Sequence, residues 1–247
     1  MNTTDIPINT NQYLPYLKEI RKRLFFIISI TVGATVVGFF QYDRIIGFVI
    51  TILDLNQLNV VFTSPFQYFE LAISAALLVG VIVAFPVIIM QLFSFLRPAL
   101  QKSEYRMLLL MLPIGLILFV GGFIFGVAIM KYTIAFFQTQ SEQLHIGSVL
   151  DISSLLSSII TISLFMGLAF QFPLILTLLL QLQIIHHKWL GNQRKFVYLA
   201  ALLLVILLPI TSIVTDVILT LPLVILFEIT LILNIIVLKR KRGEIHV

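Results

Sequence analysis

Residues 71–96 read LAISAALLVGVIVAFPVIIMQLFSFL. The stretch holds no charged residue, one amide (Gln91) and one proline (Pro86). About 20 consecutive, mostly apolar residues suffice for a helix to cross a hydrocarbon core of roughly 30 Å. The apolar residues are continuous rather than alternating, so the polar-in, apolar-out period of a barrel strand is missing. The stretch is therefore a transmembrane helix. Similar runs lie on either side of it, at 24–40, 107–130, 155–182, 197–210 and 217–238, giving six spans in a single polytopic domain over 1–247. The whole composition agrees. Of 247 residues, 60% are apolar and 11% charged, against roughly 25% charged in a soluble domain. Mean hydropathy is +1.09. A soluble globule cannot hide so much apolar surface, and disorder needs the opposite balance. The fold class is an all-α membrane protein.

Lysine and arginine set the orientation. They cluster before span one (Lys18, Arg21, Lys22, Arg23), between spans two and three (Arg97, Lys102, Arg106), between four and five (Lys188, Arg194, Lys195) and after span six (Lys239, Arg240, Lys241, Arg242). That places 14 of the 16 basic residues on one face, with Arg44 and Lys131 on the other. Both termini are expected in the cytosol. The basic stretch before the first run resembles a signal peptide, but 23 residues precede that run and no small-residue cleavage site follows it. The reading is a retained span, preceded by a short amphipathic helix at 13–23 on the membrane surface; residues 239–247 form a basic tail. Gln41–Phe69 has room for one or two interfacial helices, and Thr133–Ser154 is the second outer segment. Span five, with about 14 apolar residues, reaches only about 21 Å, short of the hydrocarbon core.

Polar groups inside spans are costly and each asks for a reason. Glu228 lies near the middle of span six, Gln91 in span two and Gln171 in span four. Two readings stand. Each ties helices together, Glu228 through Gln91 or Gln171, or the three line one midplane depression and take part in transport. Pro86, Pro113, Pro173, Pro209 and Pro222 fall in or at the ends of spans; each removes a backbone donor and kinks its helix, so the bundle is bent rather than cylindrical. No internal repeat supports an inverted-repeat transporter.

Several chemistries are excluded. There is no cysteine, hence no disulfide, thiolate metal site or thiol nucleophile. P-loop, H-E-x-x-H and G-x-S-x-G patterns are absent. Adjacent His186 and His187 beside Lys188 and Trp189 read as an interfacial belt rather than metal ligands. No cofactor, metal or catalytic residue is expected. The basic clusters flank spans and lack an aromatic platform, so nucleic acid is not a partner.

Two carboxylates on the basic face stand out, Glu19 in LKEIRKRL (17–24) and Glu104 in FLRPALQKSEYR (95–106). A carboxylate can take a guanidinium in a charge-assisted pair, supplied by a ligand or locally by Arg23 or Lys102. At these residues the chain resembles a family. Leu17–Leu24 resembles an H-L-x-E-L-R-x-R-L entry motif and Phe95–Arg106 the loop F-x-x-P-A-L-x-x-x-E-x-R. Phe170-Gln171-Phe172-Pro173 resembles an F-E-x-P element, and Leu221-Pro222 with Leu226–Ile229 an element of span six. With six spans and both ends inside, the chain is similar to TatC, the multi-spanning core of the twin-arginine protein translocase, from about Leu14 to Leu238.

The resemblance implies a glove-like bundle in the bacterial plasma membrane that binds signal peptides carrying two arginines. It implies recruitment of TatA/TatB-type single-span partners, and passage of folded proteins driven by the proton-motive force. Self-association in a receptor complex and contact with membrane lipid are implied as well. Carried over, Glu19 and Glu104 would bind the signal arginines, and Arg21, Arg23, Pro98 and Arg106 would shape that surface. Gln171 would line the concave face, Glu228 would lie in span six, and Thr211, Ser212, Thr215 and Asp216 would form a polar site for the partner. Three positions depart from the pattern. Tyr16 replaces the motif histidine, Gln171 stands where many members have glutamate, and PITSIVTD (209–216) replaces the usual prolines and aspartate. The alternative from another class is a secondary transporter or small-solute channel.

Overall fold

The computed structural model describes residues 14–53, 60–61, 63–97, 102–143, 150–181, 185, 193–207 and 213–243. Eight helices run through them: α1 (Leu14–Phe40), α2 (Tyr42–Leu53), α3 (Gln67–Leu96), α4 (Lys102–Gln143), α5 (Ile152–Ala169), α6 (Phe172–Gln181), α7 (Arg194–Ile206) and α8 (Ile213–Gly243). A helix satisfies every interior backbone group within itself, which hydrocarbon demands. Large apolar side chains face outward, Phe40 and Leu207 among them at 80% and 79% exposure. Lipid is the natural solvent for such a surface.

Five stretches are long and apolar enough to cross a membrane: Leu17–Phe40, Gln67–Leu96, Leu109–Gln143, Ile152–Leu180 and Thr215–Asn234. The span expected at 197–210 corresponds to α7, whose 13 residues reach about 20 Å. The structure departs from expectation in three further places. The helix expected at 13–23 and the first span are one continuous 27-residue helix, because no glycine, proline or capping residue interrupts LKEIRKRLFF. Helix α4 runs for 42 residues, well past 107–130 at both ends. The fourth span is broken: α5 ends at Ala169, with Phe170 as its C-cap, and α6 begins at Phe172, with Pro173 in its first turn. Proline has no amide proton and crowds the preceding turn, so the helix restarts rather than continues.

Helix α5 is the hub of the core. Its Leu156, Ile159, Ile162 and Met166 are buried against Leu71 of α3, Met130 of α4, Val205 of α7 and Leu219 and Leu223 of α8. A second cluster joins α3 and α4 to α6, with the Phe85 and Phe119 rings stacked 4.0 Å apart. A third seats Phe227 of α8 between Phe172 and Tyr198, at ring distances of 6.2 and 5.9 Å.

Glycines let the helices approach closely, since apolar burial cannot drive association inside lipid. On α1, a Cβ at Gly38 would lie 2.9 Å from Val79 Cβ. On α4, a Cβ at Gly122 would lie 2.5 Å from the Met166 carbonyl oxygen, and one at Gly126 2.6 Å from Ser163 Cα. Gly122 and Gly126 are four apart and form one seam against α5.

The far end of the bundle from Glu19 is stapled. Strand β1 (Val60–Val61) pairs in parallel with β2 (Leu150–Asp151). Strands were not expected; this two-residue ladder is a clip between the two connecting segments, not part of a barrel. Asp151 caps α5 by accepting from the Ser154 amide at 3.0 Å. Its other oxygen accepts from the Thr63 hydroxyl at 2.5 Å and from the Gln67 amide. Ser153 Oγ donates to the Gln67 carbonyl at 2.9 Å. These bonds, the Ser154 amide first and the Thr63 hydroxyl next, hold the Asp151 carboxyl below its ordinary range. Helix α2, expected as an interfacial element, packs beside α3 at this same end through Tyr42 and Tyr68, whose rings meet edge-on at 5.3 Å.

Candidate functional site

The candidate residues fall into four groups. The first lies where the start of α1 meets the end of α3. Glu19 and Arg23 are four apart on α1, hence on one face. Arg23 Nε and Nη2 both donate to Glu19 Oε1, at 3.1 and 2.6 Å. Its Nη1 donates to Gln91 Oε1 at 2.7 Å and to the Gln91 carbonyl at 3.2 Å. The guanidinium also lies 6.0 Å from the Phe95 ring centroid. Gln91, read from sequence as an intramembrane amide, thus anchors Arg23 across 68 residues of chain. Arg23 is the local partner that Glu19 takes. The Glu19 side chain stays 41% exposed, so the ion pair itself stabilises the fold by no more than about 0.5 kcal/mol.

Around this group, Arg97 lies 5.4 Å from the Tyr105 ring centroid and joins the end of α3 to the start of α4. Arg21 and Arg106 are exposed and make no ion pair among the described residues. Glu104 lies in the first turn of α4, and its side chain is outside the described residues, as is Pro98.

The second group is the break in the fourth span. Gln171 is 7% exposed. Its Nε2 donates to the Gly115 carbonyl at 3.1 Å and to the Gly167 carbonyl at 3.3 Å, tying the α5–α6 break to α4. Its Oε1 is buried with no partner among the described residues, a cost of about 1–3 kcal/mol.

The third group is Glu228. Its Oε2 accepts from Arg194 Nη1 at 3.1 Å and its Oε1 from the Tyr198 hydroxyl. The partners are the first turns of α7, not Gln91 or Gln171 as the sequence suggested. The carboxylate is therefore paired and sits beside the basic start of α7. Next to it, a groove of ≈ 560 Å³ runs between α5–α6 and α7–α8, lined by Phe172, Ile175, Phe196, Ala201, Leu204 and Leu223. Gln91, Gln171 and Glu228 bond to three separate sets of partners and to none of one another.

The fourth group opens α8. Thr215 is buried, and Asp216 stands in the first turn with Oδ1 buried and without a partner among the described residues. Thr211 and Ser212 are outside the described residues. Sequence reading missed Asn234, which is 7% exposed and donates to Thr177 Oγ1 at 3.1 Å, linking α8 to α6. An asparagine within the apolar run LILNIIVL was the available signal. Among the described residues, no group of three or more histidine, aspartate or glutamate side chains is placed to hold a metal ion.

This architecture has known counterparts. Residues 15–222 match the family described as Sec-independent protein translocase protein (TatC). The Sec-independent protein translocase protein TatCy of Bacillus subtilis is 28% identical over 237 residues, covering 94% of this chain and 91% of that protein. The TatC protein of Aquifex aeolicus is 28% identical over 240 residues, covering 92% and 96%. Among solved structures, a crystal structure of the twin-arginine translocase receptor TatC in DDM superposes with a TM-score of 0.78 at 25% identity, covering 88% of this chain and 98% of that one. The family is one of translocase subunits rather than enzymes, its bacterial members are membrane proteins, and this chain carries several helices able to cross a membrane. The chain belongs to the TatC family of Sec-independent protein translocases.

Proposed function

We propose that this translocase subunit is the receptor and scaffold of its complex. It binds twin-arginine signal peptides of folded cargo at the end of the bundle that carries Glu19. In this reading α7 is the short fifth of six spans, both termini are cytosolic, and the Glu19 end faces the cytosol. Glu19 and Glu104 accept the signal arginines, and Arg21, Arg23, Pro98 and Arg106 shape the surface. TatA/TatB-type single-span partners dock along α7 and α8, near Thr211, Ser212, Thr215 and Asp216, and transport draws on the proton-motive force. Copies of the chain associate in the receptor complex.

One observation carries the reading. Glu19 is a half-exposed carboxylate with one oxygen engaged among the described residues, and its neighbours on α1 are the basic Lys18, Arg21, Lys22 and Arg23. A guanidinium, always charged and carrying five N–H donors, is a cation suited to the open oxygen. A solute-transport reading lacks a comparable observation, since its three polar residues do not form one cluster.

The test is photocrosslinking from positions 19 and 104 to a twin-arginine signal peptide, with a lysine–lysine peptide as control. Glu19→Ala and Glu104→Ala should each abolish signal binding while the protein still inserts. Undiminished binding in both variants overturns the proposal.

A further inference from the structure

Arg23 divides its guanidinium between two helices. The fork of an arginine can meet both oxygens of a carboxylate. Here both donors that reach Glu19 converge on Oε1, and Oε2 has no partner among the described residues. The cause lies on α3. Gln91 takes Arg23 Nη1 with two acceptors, its own Oε1 and its carbonyl, and Phe95, one helical turn further on, lies against the same guanidinium. With Nη1 held at that corner, the Nε–Nη2 edge meets Glu19 at Oε1 alone.

We infer that Gln91 is a positioning residue for ligand recognition: by anchoring Arg23 it keeps the chain's own guanidinium off Glu19 Oε2, which stays available to a guanidinium brought by a ligand. The inference rests on the proposed role of Glu19 as an arginine acceptor and adds what sets its availability. Leucine at position 91 cannot accept Nη1. Arg23 then closes across both oxygens and competes with the ligand from within the chain. If that closed state holds about 90% of the molecules, ligand affinity falls about tenfold.

The experiment uses the full chain in lipid nanodiscs and a fluorescent twin-arginine signal peptide, titrated by anisotropy beside a lysine–lysine peptide. Four variants are compared with the wild type: Gln91→Leu, Glu19→Ala, Arg23→Gln and the double variant Arg23→Gln/Gln91→Leu. The expected result is about tenfold weaker binding for Gln91→Leu, and equal binding for Arg23→Gln with or without Gln91→Leu, because Gln91 acts only through Arg23. A general structural role for Gln91 would instead weaken both backgrounds alike, and that outcome overturns the inference. So does wild-type affinity in Gln91→Leu when Glu19→Ala has lost binding. Wild-type affinity in Glu19→Ala removes the acceptor role itself, and the inference with it.

Discussion

Gly121 and Gly122 are neighbours in sequence but differ completely in surroundings, which makes them a sharp test of how α4 and α5 are held. Around a Cβ at Gly121 nothing lies within 4 Å, whereas one at Gly122 would meet the Met166 carbonyl oxygen at 2.5 Å and its carbon at 2.9 Å. Both atoms are backbone and cannot turn aside. Since carbon atoms settle about 3.5–4.0 Å apart, α4 and α5 must separate by roughly 1 Å to admit one methyl group. Overpacking of this kind costs about 1–3 kcal/mol, and a chain of this size loses about 2–4 °C of melting temperature per kcal/mol. Gly122→Ala should therefore melt roughly 3–10 °C lower. Gly121→Ala should melt at or slightly above the wild type, because alanine is the better helix former by about 1 kcal/mol. Thermal unfolding followed by circular dichroism in one detergent measures both. Gly126→Ala should resemble Gly122→Ala, and the pair together should cost less than the sum, since one separation of the helices relieves both clashes. Equal melting of the Gly121 and Gly122 variants would refute a close-packed seam.

Other expectations follow from the polar contacts. The Asp151 carboxyl is held below its ordinary range in the fold, so its contribution is complete above the unfolded carboxylate pKa and disappears as pH falls through the lower, folded one. Melting curves below pH 5 should show Asp151→Asn losing less stability on acidification than the wild type. At neutral pH Asp151→Ala should lose about 0.5–2 kcal/mol with the helix cap. Arg194 and Glu228 should show a coupling of about 0.2–1 kcal/mol in a double-mutant cycle of Arg194→Gln and Glu228→Gln; a coupling that is unchanged in high salt would count against a direct ion pair. Asn234→Leu should lower stability measurably through Thr177, whose hydroxyl loses its donor, by about 0.6–2 kcal/mol in denaturant melts.

Hydropathy finds spans because each span is a local run, and so Leu71–Leu96 alone gives the end of α3 and its start to within about one turn. The broken fourth span was half legible. Pro173 announces a disturbance, but whether a helix bends or restarts depends on what receives the freed backbone groups, here a turn anchored by Gln171 to Gly115. Pairing between distant positions left no local trace. Gln91 finds Arg23 across 68 residues, Glu228 finds Arg194 across 34, and Val60 finds Leu150 across the whole of α3 and α4. The same amide or carboxylate in an apolar run is compatible with many partners, and only the packing of helices chooses one. Glycine is ambiguous for the same reason: Gly121 and Gly122 read alike until α5 lies against one of them.

The length of α4 has a mechanical consequence. Beyond Pro113 it continues unbroken from Ile114 to Gln143, about 45 Å at 1.5 Å per residue. Gly115, Gly122 and Gly126 are held against α5 and α6, all within the first half of that rod. Its remaining half carries Met130 and Ile134 against the same core before running on to Gln143. A tilt of roughly 10° at the seam moves a point roughly 25 Å along the rod by roughly 4 Å, and the Met130 and Ile134 contacts move with it. A small change in how α5 seats on α4 is thereby amplified at the opposite surface of the protein.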